Sequence, residues 1–195
     1  MKKLLALLLA MAMVFGLVAC GGSDSKNDDG GNSDAGEVKT MTVGTDVVGY
    51  VTIPEDWLTN QEGTEFQTAS PDFNSYITLD IFDVDSMELP EGYETMEEWL
   101  EDNEYENMQE YLSTAIWYAL EESDIYDIEG SVVDLCGFEA NQVYGVYDSE
   151  YTDEICFIIC WIFEDNGVYR YVAAEGPYSD IMDVKDYVEK TYTTP

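Results

Sequence analysis

The chain has 195 residues, of which 42 are Asp or Glu, 7 are Lys or Arg and none is His, for a formal charge of −35. So negative a chain repels the nucleic-acid backbone and the surface of anionic lipid, and suits either plain solubility or a partner of opposite sign: a basic protein, a cation or an envelope component. Without histidine there is no Ser-His or Cys-His nucleophile, nor the commonest zinc or copper ligand. A hydrophobic share of 46% with 13% aromatic residues is too rich for an acidic disordered chain, so a folded domain is expected.

Lys2 and Lys3 precede an apolar run from Leu4 to Ala19, the order of an export signal. Its sixteen residues fall short of the ~20 that a helix needs to span a bilayer. The run ends Leu17-Val18-Ala19-Cys20 before Gly21-Gly22, and these four residues resemble the lipobox of bacterial lipoproteins. The resemblance implies cleavage before Cys20 and a diacylglyceryl group on its sulfur, with residues 1–19 as signal peptide. At about 0.8 kcal/mol per buried CH₂, two or more lipid chains hold a protein at a membrane without a spanning segment. The location implied is the outer face of the cytoplasmic membrane. Losing Lys2 and Lys3 takes the formal charge from −35 to −37.

Residues 20–40 contain GGSDSKNDDGGNSDAG, from Gly21 to Gly36, which has almost nothing to bury and reads as a flexible tether. Its root-mean-square reach is about 20–24 Å, from ~5–6 Å × √n. Such a polar linker fits lipoproteins of Gram-positive cells. The remaining residues, 41–195, are enough for one domain.

Alternating and apolar runs bounded by turn residues predict strands over about 47–53, 64–69, 76–82, 131–136, 140–148, 154–164 and 168–175. Tyr50-Val51-Thr52-Ile53 runs into Pro54-Glu55-Asp56-Trp57, where proline sets a turn. The stretch Ile155 to Phe163 is apolar at nearly every position, so both of its faces require cover. Asn166-Gly167 predicts a tight hairpin after it, and the last four strands read as an antiparallel meander.

Helices should supply the cover. Thr95 and Glu98 fit a capping box, followed by Met96, Trp99 and Leu100 on one face. Met108, Tyr111, Leu112, Ala115 and Ala119 share a second face rotated by roughly 110°, which predicts a break near Asp102-Asn103. A last helix from about Ser179, as its cap, to Tyr192 carries Ile181, Met182, Val184, Val188 and Tyr192.

This order of elements is similar to the PsbP-like family, the α/β/α sandwich of the extrinsic photosystem II protein and of many small bacterial lipoproteins. The likeness rests on Val48-Gly49-Tyr50-Val51-Thr52-Ile53-Pro54-Glu55-Asp56-Trp57, on Leu135-Cys136-Gly137-Phe138-Glu139-Ala140 before the later hairpins, and on the C-terminal helix. It implies an α+β fold over about residues 41–194: a mostly antiparallel sheet flanked by helices. These residues keep a fold and none is catalytic, so the resemblance carries no activity.

Chemistry-bearing patterns are few. No phosphate-cradling glycine loop occurs. Asp83-Val84-Asp85-Ser86-Met87-Glu88 has the spaced acids of a calcium loop's start but Glu88 in place of its glycine, and reads as a solvated loop; no metal or cofactor is expected. With Cys20 lipidated, Cys136, Cys156 and Cys160 remain. Cys156 and Cys160 are about 13 Å apart along one strand, too far to bond; either could pair with Cys136, or all three could be buried thiols. Most aromatic residues fall on core stripes. Tyr105, Tyr118 and Tyr126 do not, and are the candidate binding aromatics.

The function expected is a membrane-tethered, non-catalytic binding or accessory module. Two alternatives belong to other classes: a carboxylate-based hydrolase of envelope polymers, and a spacer with no ligand. A deep pocket with two carboxylates of raised pKa would mark the enzyme, and an exposed aromatic patch the module.

Overall fold

The computed structural model describes residues 39–149 and 152–195; the export signal, Cys20 and nearly all of the linker lie outside the described residues. Thr40–Pro195 forms one unit. In chain order it contains strands β1 (Thr40–Thr45), β2 (Gly49–Pro54), β3 (Leu58–Glu62), β4 (Glu65–Ala69) and β5 (Tyr76–Phe82). Then come a 3-10 turn (Val84–Ser86) and helices α1 (Met96–Asp102) and α2 (Met108–Glu122). Strands β6 (Tyr126–Leu135), β7 (Phe138–Asp148), β8 (Ile155–Asp165) and β9 (Val168–Pro177) lead to helix α3 (Ile181–Thr191).

Seven strands form one sheet in the order β3-β4-β5-β9-β8-β7-β6, every neighbouring pair antiparallel. The expected α+β architecture is therefore present, and so is the meander of the last four strands. Strand β8 lies centrally and is apolar on both faces because both are covered. Ile159, Trp161 and Phe163 meet Val48, Val51 and Ile53 of the β1–β2 hairpin region and Ile181, Val184, Val188 and Tyr192 of the C-terminal helix region. Cys160 and Ile162 point to the other face, where α2 packs across β6, β7 and β8.

Two strands escape the sequence pattern. β1 pairs only with β2, outside the large sheet. β3 is an edge strand with all five residues exposed, so it carries no apolar alternation; its residues are held by the β4 ladder.

The helix boundaries follow from their caps. Thr95 Oγ1 accepts from Glu98 N at 3.1 Å, while Glu98 Oε2 reaches back to accept from Glu94 N. The predicted break occurs where Asn103 caps α1 and Glu104 takes φ 64°. A second box restarts the chain: Asn107 Oδ1 accepts from Glu110 N and Glu110 Oε2 from Glu106 N.

Three helix details correct the sequence reading. The buried stripe of α2 is Met108, Leu112, Ser113, Ile116 and Leu120, with Tyr111, Ala115 and Ala119 only half-buried on its flank. α3 is capped by Asp180, without a side-chain cap bond, rather than by Ser179; the Ser179 amide donates instead to Glu154. Met182 faces solvent at 63% exposure, being the one position of its stripe turned off the sheet.

Candidate functional site: an acidic and aromatic cleft

Three connections, distant in sequence, meet at one end of α3. The β2–β3 turn supplies Trp57, whose amide donates to Pro54 O. The β4–β5 loop supplies Ser70, Pro71, Asp72 and Ser75, and the start of α3 supplies Asp180, Asp183, Val184 and Tyr187. Together they line a cleft of about 400 Å³, within the ~300–1,000 Å³ common for small-molecule sites.

The β4–β5 loop is tied so that Asp72 is fixed in place. Ser70 N donates to Ser75 O and Phe73 N to Ser70 O. Asp72 Oδ1 accepts from Ser70 Oγ at 2.6 Å and from Asn74 N, and Asp72 Oδ2 accepts from Asn74 Nδ2. These donors, the Ser70 hydroxyl foremost, hold the Asp72 carboxyl below its usual pKa. A carboxylate held by three hydrogen bonds that favour its ionised form lines the cleft.

Trp57 and Tyr187, which also line the cleft, pack edge to face, with centroids 5.8 Å apart. Burial, then the negative charges of Asp183 and Asp56, push the Tyr187 phenol up, so its ring stays neutral. Ser75 is 2% exposed, and its hydroxyl has no hydrogen-bond partner. The cleft thus has three carboxylates, and none of the described lysines nor Arg170 lines it. Arg170, Lys185 and Lys190 are engaged by Asp165, Glu189 and Asp186. The α3 dipole brings the equivalent of about half a positive charge, which three carboxylates outweigh.

A second polar set lies on the sheet face shared with α2. Phe66 faces Leu79 in the β4–β5 ladder, which places Glu65 beside Asp80. Both carboxyls are raised, chiefly by burial, and Glu65 also by the Asp80 charge. Glu175 is raised by burial and accepts from the Tyr147 hydroxyl. The Cys160 thiol, beside the Tyr171 hydroxyl, is pushed up to about 12 by burial. Asp80 is 3% exposed and Ile81 N occupies its Oδ1, so the group is closed to a polymer.

The three candidate tyrosines do not form one patch. Tyr105 packs against Trp99 and Tyr111, at 6.1 and 5.4 Å between centroids. Its phenol is raised by burial and then by the neighbouring Tyr118, which is 56% exposed. Tyr126 stands apart at the start of β6 and donates to Asp148. None of the three lines the cleft. In sequence Trp57 reads as a fold residue, and Asp180 and Asp183 look like ordinary helix-start acids, so no local pattern joins them.

Cys136, Cys156 and Cys160 are all free thiols, which corrects the expectation that Cys136 could pair with either of the others. Cys136 occupies the two-residue β6–β7 turn at φ 52° and donates to Glu189 O below α3, whereas Cys160 meets Tyr171 on the opposite sheet face. Cys156 pairs with Tyr147, nine residues along β7 from Phe138 at the turn, or about 30 Å.

No group of acidic or thiol side chains among the described residues is placed to hold a metal ion, and no described helix is long and apolar enough to cross a membrane. No family model matches the chain and no curated protein matches it. Solved structures do. The cyanobacterial PsbP (CyanoP) of Synechocystis sp. PCC 6803 is 11% identical, with 85% of this chain and 98% of that one covered, at a TM-score of 0.46. LpqN, involved in cell envelope biogenesis of Mycobacterium tuberculosis, is 15% identical over 83% and 94%, at 0.43. A protein of Bacteroides thetaiotaomicron VPI-5482 is 13% identical over 80% of this chain, at 0.46; the present chain spans about half its length, 48%.

Proposed function

We propose that this protein is a non-catalytic binding module, tethered by lipid on Cys20 to the outer face of the cytoplasmic membrane of a Gram-positive cell, that captures a positively charged partner. The observation carrying the proposal is the cleft: Asp72, Asp180 and Asp183 beside Trp57 and Tyr187, with no basic side chain among its lining residues. Attraction of this kind acts first on encounter rate and fades with salt. The tether rests on Leu17-Val18-Ala19-Cys20.

Crosslinking on intact cells tests both the tether and the cleft. Wild-type protein should fractionate with membranes and give reproducible crosslinks to one basic or cationic partner through residues near the cleft. Cys20→Ser protein should leave the membrane fraction and lose those crosslinks. Cys20→Ser protein that stays in the membrane with residues 1–19 attached would sink the tether. Crosslinks spread over all acidic surfaces alike would sink the cleft.

A further inference from the structure

We propose that two copies of this chain pair through the free edge of β6, joining their sheets across a two-fold axis at Val132. The inference is independent of the cleft. β6 ends the seven-stranded sheet on one side and, among the described residues, pairs only with β7. Sheet margins are usually blunted by shortness, lysine, proline or a covering element. β6 runs for 10 residues without lysine or proline, and its one irregularity falls between Tyr126 and Glu129, which leaves the stretch from Glu129 to Leu135 regular. Val132, in the middle of that stretch, is 65% exposed.

The hairpin decides which backbone groups are free. Leu135 faces Phe138 across Cys136 and Gly137, whose φ values of 52° and 96° are the positive pair of a two-residue turn. Such a turn is closed by a hydrogen-bonded pair. Leu135, Val133, Ser131 and Glu129 therefore bond to β7, and the residues between them, Gly130, Val132 and Asp134, turn their N–H and C=O outward. Among the described residues no backbone group meets these three from the open side.

The edge is complementary to itself. Antiparallel pairing about Val132 sets Val132 against Val132 and Gly130 against Asp134 twice, so all three outward residues of each chain find partners in an isologous contact. The register also keeps the acids apart. Asp134, whose Oδ1 accepts from Gly137 N, faces a residue without a side chain, and Glu129, which accepts from the Tyr144 hydroxyl, faces Leu135 of the copy. No acid stands opposite an acid, the arrangement that destabilises a strand pair. The chain's own linker, from Gly21 to Gly36, has no β-branched residue to set against Val132. β6 lies at the other margin of the sheet from β4, whose connection to β5 lines the cleft, so the pairing leaves the cleft open.

The test is disulfide trapping of full-length Val132→Cys protein in a Cys136→Ser background, on intact cells and after purification in detergent. Hydrogen-bonded antiparallel partners have Cα atoms about 5.5 Å apart, inside the span of about 4.4–6.8 Å that a disulfide bridges. Val132→Cys should form a covalent dimer about tenfold faster, or more, than Ser131→Cys or Met182→Cys, whose positions do not face their copies; Met182 is 63% exposed on α3. Two chains so acidic repel each other, so trapping should speed up by about twofold or more from low to high salt, the opposite of a cationic partner at the cleft. Added to Val132→Cys, Gly130→Asp sets acid against Asp134 twice and should slow trapping about fivefold or more, whereas Gly130→Lys should speed it. A Cβ at Gly130 meets the Trp117 ring at 3.4 Å, van der Waals contact, and a damaged fold would move both variants the same way.

Trapping of Met182→Cys as fast as that of Val132→Cys would reduce the dimer to collision and overturn the proposal. Faster trapping of Ser131→Cys, or equal effects of Gly130→Asp and Gly130→Lys, would overturn the two-fold axis at Val132. A lysine-rich peptide that crosslinks to β6 and abolishes trapping would put a basic strand in the place of the copy and overturn the proposal as well. The cleft is read by its own crosslinks, so each reading can fail while the other stands.

Discussion

Single residues hold the two ends of this domain together. Tyr192 ends its helix with its ring in the core, 1% exposed, and its hydroxyl donates to Val48 O at 2.8 Å. That placement requires Gly49: φ is +90° there, and a Cβ would overlap the Tyr192 hydroxyl. Gly49→Ala should therefore combine left-handed strain with displacement of a buried ring, costing about 2–3 kcal/mol. Chemical denaturation of the variant checks this; an unchanged midpoint would mean that Tyr192 moves aside freely. Cys136 is unusual in the same sense, a cysteine at φ 52° beside Gly137 at φ 96°. Its place in a two-residue hairpin is what keeps it from the other thiols.

At the level of elements, the sheet's inner strands were legible and its margins were not. Tyr76–Phe82 is a strand as predicted, because buried Ile77 and Leu79 alternate with half-buried Tyr76 and Thr78. β8 could be recognised as central because an apolar residue at almost every position has only one explanation. β3 could not be found, since Leu58-Thr59-Asn60-Gln61-Glu62 is exposed throughout and owes its conformation to β4. The cleft was illegible for a different reason. Trp57, Asp72 and Asp183 come from segments that only the finished topology brings together, and each looks locally like turn or cap chemistry. For α2, the stripe expected around Tyr111, Ala115 and Ala119 lies one step away from the true one, centred on Leu112 and Ile116. Leu112→Ala should cost about 2–4 kcal/mol, whereas Met182→Ala on the exposed side of α3 should stay within about 0.5 kcal/mol. Equal melting temperatures for the two variants would refute this assignment of faces.

For the molecule as a whole, acidity shapes the dependence of stability on pH. Glu65, Asp80 and Glu175 all have carboxyl pKa values raised by burial. Between their unfolded values, near 4, and those raised values, the folded chain keeps protons that the unfolded chain has released, so stability falls as pH rises through that interval. Asp72 works oppositely, but its lowered pKa confines its effect to pH below its ordinary value. Melting temperature should therefore rise as pH is brought from 7 toward 5. Asp80→Asn, which retains an acceptor for Ile81 N, should be more stable than wild type at pH 7 and show a shallower slope. A wild-type curve that is flat from pH 5 to 7 would remove the buried carboxylates from this account.

The register of the small hairpin gives the domain a direction of weakness. Thr40, where the folded unit begins, lies opposite Pro54, and the cleft opens three residues later at Trp57. A pull on the chain at Thr40, resisted by something held at the cleft, therefore enters the β1–β2 pair at its open end. Ladder bonds loaded in that way break in succession instead of sharing the strain, and β1 has no strand but β2 to cling to among the described residues. Given the tether and the cleft proposed above, this hairpin would act under tension as a zipper, lengthening by several residues while the seven-stranded sheet stays whole, a shock absorber between an anchor and a grip.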